Sequence, residues 1–148
     1  MTASNSYVYF GLKGDNFNPD HITSALQILP TEIRRKGEAI GNSGNKIKFS
    51  AWYLYSDKTD NLFVNKLVED VVERLFDKID VINILKKEFH LTSILEIVLY
   101  IDENEEVSTP LIGHDLKTIE FLFRTNTETD VDIYKFNSIE MDAEQDGT

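Results

Sequence analysis

Cysteine is absent from the 148 residues. Its absence removes disulfides, thiol nucleophiles and cysteine-ligated metal together, and suits a reducing compartment. Long apolar runs are missing as well. The most hydrophobic stretch, "ILEIVLYI" (94–101), is interrupted by Glu96 and is much shorter than the roughly 18–20 residues a membrane-spanning helix needs. The opening "MTASNSYVYFGLKG" lacks the basic segment and apolar stretch of a signal peptide. A cytoplasmic protein is the expectation.

Positive charge is scarce: 15 Lys and Arg stand against 26 Asp and Glu, a net −11. Residues 31–48 hold five bases (Arg34, Arg35, Lys36, Lys46, Lys48) and two acids (Glu32, Glu38), or +3, so the other 130 residues carry −14. Such a surface repels nucleic acid and anionic membranes and steers basic proteins toward itself.

Recognisable catalytic frames are lacking too. His21, His90 and His114 are far apart in sequence, and no H-E-x-x-H or related spacing joins them. The acidic run "DENEE" (102–106) lacks the glycine and the spacing of an EF-hand loop, so a connecting turn is expected there. No G-x-S-x-G elbow, phosphate loop or dinucleotide fingerprint occurs. The expectation is a non-enzymatic chain with no metal site and no cofactor.

What is present reads as alternating strands and helices. "YVYFGLK" (7–13) is β-branched and aromatic, apolar on both faces, and so suits a central strand. "NPDHITSALQI" (18–28) begins with an N-capping Asn18, Pro19 at the first helical position and Asp20 against the helix dipole. "KIKFSAWYLYS" (46–56) alternates with period two. Val64, Leu67, Val68, Val71, Val72 and Leu75 form a helical stripe, which Ile79, Ile82, Leu85 and Phe89 continue. That segment is one long helix, or two broken near residues 77–80. "LTSILEIVLYID" (91–102) reads as a strand. "HDLKTIEFLF" (114–123) reads as a helix with Leu116, Ile119 and Phe123 inward, and "DVDIYKF" (130–136) as a last strand. The pattern gives one α+β domain over 1–136, with a roughly four-stranded, mainly antiparallel sheet and about three helices. Its order is β-α-β-α-β-α-β, of split β-α-β, ferredoxin-like character. An acidic flexible tail is expected over 137–148.

The densest positive charge lies in "TEIRRKGEAIGNSG" (31–44), where Arg34, Arg35 and Lys36 are consecutive. Two arginines can grip a carboxylate or phosphate bidentately, which makes an anion site one reading. The other is a turn neutralised by Glu32 and Glu38, with an arginine along Trp52 or a neighbouring aromatic.

"YVYFGLKGDNFNPDHIT", then "RRKGE", Trp52 inside "SAWYLYS", "LIGHDL" and "DVDIY" resemble the bacterial domain-of-unknown-function family 4279, over about Tyr7 to Tyr134. The resemblance implies a single α+β domain from a bacterium or its phage. It carries over no catalytic residues. Residues 42–48 are richer in Gly, Asn and Lys than the family pattern, and the acidic tail departs from it.

The functional expectation is a binding module that occludes a basic site on another protein, as an immunity-like or phage-encoded inhibitor does. Asp102, Glu103, Glu105 and Glu106 supply its charge and Trp52 an aromatic contact. The alternative is a small anionic-ligand sensor or enzyme built on Arg34, Arg35 and Lys36. The chain is expected as a monomer or homodimer.

Overall fold

The computed structural model describes residues 5–59 and 63–140. Strand β1 (Tyr7–Gly14) leads to helix α1 (Pro19–Leu26), a short strand β2 (Glu32–Arg34) and strand β3 (Ser50–Tyr55). Helices α2 (Val64–Leu75) and α3 (Ile79–Phe89) follow, joined by one 3-10 turn at Phe76–Lys78. Strand β4 (Thr92–Asp102), helix α4 (Leu116–Arg124) and strand β5 (Glu128–Phe136) complete the fold. Among the described residues, no helix is long and apolar enough to cross a membrane.

The five strands form one sheet in the order β2-β3-β1-β4-β5. β1 is antiparallel to both β3 and β4, so those two are parallel to each other with β1 between them, and α2 and α3 connect them. This is a split β-α-β unit. β4 and β5 pair parallel, and α4 lies on the crossover such a pair requires. The expected four-stranded sheet with three helices is therefore corrected to a five-stranded mixed sheet with four helices. The extra strand, β2, is three residues of charged edge strand inside the basic loop, too short to show a period. The directly parallel β4–β5 pair makes the sheet mixed, where a ferredoxin-like arrangement would be antiparallel throughout.

Local chemistry explains the ends of the helices. Asn18 Oδ1 accepts the Asp20 N–H at 3.0 Å, and Pro19 occupies the position where a missing donor costs nothing. α1 stops at Gln27, which turns left-handed (φ 56°) and returns its N–H to the Thr23 carbonyl. The break thus comes three residues before Pro30. His90 closes α3 in the same left-handed way, at φ 55°.

One core holds the domain together. It gathers Val8, Phe10 and Leu12 of β1, Trp52 and Leu54 of β3, and Leu95, Ile97 and Leu99 of β4 against side chains of all four helices. Strand side chains alternate between faces, so this core uses one parity of the sheet only. Helix α4 sits in a different rotation from the expected one. Asp115 Oδ1 caps it by accepting the Thr118 N–H at 2.8 Å, and Thr118 and Phe121 are the buried positions. Phe121 meets the Phe10 ring edge-on at 5.7 Å. Leu116 (84% exposed) and Phe123 (85%) consequently face outward, with Ile119 half exposed. The helix is where the pattern put it, but the stripe expected inward is its uncovered side.

Of the acidic tail expected over 137–148, residues 141–148 lie outside the described residues. Residues 138–140 are helical, and the Ser138 N–H donates to Asp102 Oδ1 at 3.1 Å.

Candidate functional site

The two motif stretches singled out in the sequence meet in space. Arg35 donates to Asn18 Oδ1 at 2.9 Å and to Asp20 Oδ1 at 2.8 Å, fastening the cap of α1. Its Nε lies 3.8 Å from Glu38. Lys36 donates to Asp15 at 2.9 Å, and Arg34 lies 3.6 Å from Glu32. The Arg34 guanidinium sits 5.9 Å from the centroid of Phe49 and 5.8 Å from that of Tyr53. Each of the three cations already has a carboxylate. Of the two places expected for an arginine, Trp52 or a neighbouring aromatic, Arg34 takes the second.

Trp52 itself is fully buried, and its indole N–H donates to Thr23 Oγ1 at 3.1 Å. It is a core side chain and has no surface to offer a partner, which corrects its assignment as a contact residue. A strand with apolar side chains on both faces hides which parity is covered. Asp102 organises the acidic turn by accepting the N–H groups of Asn104 (3.0 Å) and Ser138. Slight desolvation raises its carboxyl, but these hydrogen bonds outweigh that and hold it below the usual range. Glu103, Glu105 and Glu106 are exposed around that turn.

The other parity of the sheet is the distinctive feature. All six tyrosines of the chain lie on it: Tyr7 and Tyr9 on β1, Tyr53 and Tyr55 on β3, Tyr100 on β4 and Tyr134 on β5. Tyr55 stacks on Tyr9 at 4.9 Å and on Tyr7 at 5.7 Å, Tyr53 meets Tyr9 edge-on at 5.5 Å, and Tyr100 stacks on Tyr134 at 5.2 Å. Gly11 makes room for this layer, since a Cβ there would lie 2.9 Å from the Tyr53 ring. None of these tyrosines belongs to the core cluster.

Carboxylates lie among the rings. Glu96 stands opposite Tyr9 on one side and Asp130 on the other, and Asp132 follows one alternate position along, opposite Val98. Carboxylate oxygens of Glu96, Asp130 and Asp132 lie within 4.8 Å of one another. Glu96 is only 4% exposed. Burial first, then the neighbouring Asp132 and Asp130, push its carboxyl up to about 7. Tyr9 is pushed up to about 12 by burial and then by Glu96. Burial also raises Tyr55, which further donates to Glu32 Oε2 at 2.9 Å. The sequence carried a legible trace of this face: Y-x-Y occurs in both "YVYF" and "WYLY", and D-x-D in "TDVDIY". Residues two apart on a strand share a face.

A second polar cluster borders a cleft of about 800 Å³ lined by Tyr9, Lys13, Lys86, Ser93, Phe123 and Thr127 among others. Lys86 Nζ lies 2.7 Å from Ser93 Oγ, a spacing that suggests a lysine-activated nucleophile. Hydrogen-bond direction excludes that in this conformation. Thr125 donates its proton to the Phe121 carbonyl (2.7 Å), so Thr127 must donate to Thr125 (2.6 Å), and Ser93 to Thr127 (2.7 Å). Ser93 therefore accepts from Lys86. With the carbonyls of Thr125 (2.6 Å) and Asn126 (3.0 Å), Lys86 needs three N–H donors and is an ammonium. Burial pushes its pKa down, yet its three donors are all taken, two by carbonyls at the end of α4 and one by Ser93 on β4. The Ser93 proton has no base to go to.

The family described as a domain of unknown function, DUF4279, matches residues 4–136, and the chain belongs to it. No curated protein and no solved structure matches the chain.

Proposed function

We propose that this DUF4279 member is a non-enzymatic binding module whose uncovered sheet face engages a basic surface of another protein and occludes it, in the manner of an inhibitor or immunity protein. The observation that carries this reading is the placement of every tyrosine on the face opposite the helices, around three clustered carboxylates. Tyrosine supplies large contact area at low conformational cost, and acidic groups steer a cationic partner to it. Glu103, Glu105 and Glu106 on the β4 turn add charge at one end of the same sheet.

A small-anion sensor or enzyme built on Arg34, Arg35 and Lys36 is the lesser reading, because carboxylates already occupy those cations.

The test compares proteins retained from a host lysate by the wild type, by a Tyr100→Ala/Tyr134→Ala/Asp130→Lys variant, and by a Glu103→Lys/Glu105→Lys/Glu106→Lys variant, each checked for folding by circular dichroism. The reading expects a basic protein held stoichiometrically by the wild type, released by rising salt and lost from the first variant. Retention indifferent to all face substitutions would refute it.

A further inference from the structure

Glu96 is an anomaly. Among the described residues it makes no ion pair and receives no hydrogen bond from a neutral donor, and its only polar partners are two other acids, Asp130 and Asp132. A nearly buried carboxyl is ordinarily matched by a donor or a cation. Here the carboxyl group belongs to the floor of the tyrosine face. Tyr9 stands beside it across the β1–β4 pair, and Tyr7, opposite Val98, stands across β4 from Asp132. Tyr100 and Tyr134 lie two residues beyond Val98 and Asp132 on the same face. Acid oxygens below and aromatic rings around are the two components that recognise an organic cation.

We propose that this floor is a socket for the guanidinium of one arginine presented by the basic partner, with Glu96, Asp130 and Asp132 accepting its N–H donors and the rings of Tyr9, Tyr100 and Tyr134 walling it, while Lys58 already covers Tyr7. The inference rests on the binding reading above and names its anchor. A guanidinium fits for two reasons. Its planar fork can bond two carboxylates at once, and its faces stack on aromatic rings, which a compact ammonium does less well. An inorganic cation would use the three carboxylates, complete its oxygen shell with water and leave the rings idle. A guanidinium engages both.

The experiment titrates N-acetyl-arginine amide into the full chain and follows tyrosine ring resonances by NMR, with the neutral isostere N-acetyl-citrulline amide as control. The expected result is saturable shifts at the rings beside Glu96. The citrulline compound should bind at least about tenfold more weakly, as should the arginine compound to a Glu96→Gln variant, because a charge-assisted bidentate bond is lost. Equal response to both compounds, or undiminished binding by Glu96→Gln, overturns the socket. So does tight saturation by MgCl2 or CaCl2 that displaces the arginine compound, since the site would then be an inorganic one. If partner capture fails in the tyrosine-face variant while the arginine probe ignores Glu96, the binding face stands and the socket falls. If capture ignores the face as well, both readings fall.

Discussion

Replacing Glu96 by Gln should stabilise the protein, and only where the carboxyl is ionised. The folded-state pKa, raised from 4.5 to about 7, means that the native state holds a proton which the unfolded chain has released over that window. Stability then falls as pH rises through it, because the native state binds more protons than the unfolded one. That rise, at about 1.36 kcal/mol for each pKa unit, sets an upper bound of about 3.4 kcal/mol. Solvent screening of the two neighbouring, exposed aspartates reduces a realistic figure to about 2 kcal/mol. Glutamine keeps the shape of the side chain and removes its titration. Near pH 8 the Glu96→Gln variant should be more stable by about 2 kcal/mol, or about 4–8 °C in melting temperature for a chain of this length. Near pH 4, below the unfolded-state pKa, the two proteins should melt within about 1 °C of each other. Urea and thermal unfolding followed by the fluorescence of Trp52, the single tryptophan and fully buried, measure this directly. A variant no more stable than wild type near pH 8, or equally stabilised at both pH values, would refute the assignment of Glu96 as a buried, uncompensated acid.

Three further outcomes test the scaffold. Asn18→Ala should lower stability by about 1 kcal/mol through loss of the cap. Combined with Arg35→Ala it should show a coupling of about 0.5 kcal/mol in a double-mutant cycle, discounted because Arg35 is partly solvated; strict additivity would deny the clamp. Thr125→Val breaks the hydroxyl chain between Lys86 and the Phe121 carbonyl and should cost about 1–3 kcal/mol by urea unfolding, because it leaves buried groups without partners. An unchanged midpoint would deny that these buried groups depend on the Thr125 hydroxyl. Gly11→Ala drives a methyl into the Tyr53 ring and should destabilise by about 1–3 kcal/mol with an altered near-ultraviolet dichroism; a spectrum like the wild type's would show that the tyrosine layer yields freely.

The elements with a strong period were legible in the sequence, and those defined by tertiary choice were not. The valine-rich stripe located α2 and α3, and their break at Phe76–Lys78 falls across the start of the expected 77–80. Asn18 and Pro19 announced α1 through a local hydrogen bond that needs no long-range partner. Trp52 and the stripe of α4 misled for a common reason. Composition marks a residue as apolar, but only the packed fold decides which apolar residues are covered. Leu116 and Phe123 are as hydrophobic as Phe121, yet only Phe121 is packed inward, against Phe10. The acid cluster was hidden for another reason. Glu96 reads as an interruption of an apolar run, and its partners lie more than thirty positions away, so only the parallel β4–β5 register brings the three together.

That register also explains why the unfavourable electrostatics are confined to one face. On the helix side, Leu95, Ile97 and Leu99 are covered by the core, and a charge there would face apolar side chains. On the tyrosine side, an acid one strand in from the edge can be nearly buried while its carboxylate oxygens lie close to those of exposed aspartates. The positive loop does nothing to relieve it, because Arg34, Arg35 and Lys36 are turned to Glu32, Asp20 and Asp15. A protein with 15 basic side chains thus leaves Glu96, the one buried acid among the described residues, without one. A surface with that imbalance is more stable with a cation on it than without, since whatever binds the native state alone stabilises it. The proposed guanidinium socket draws on that imbalance.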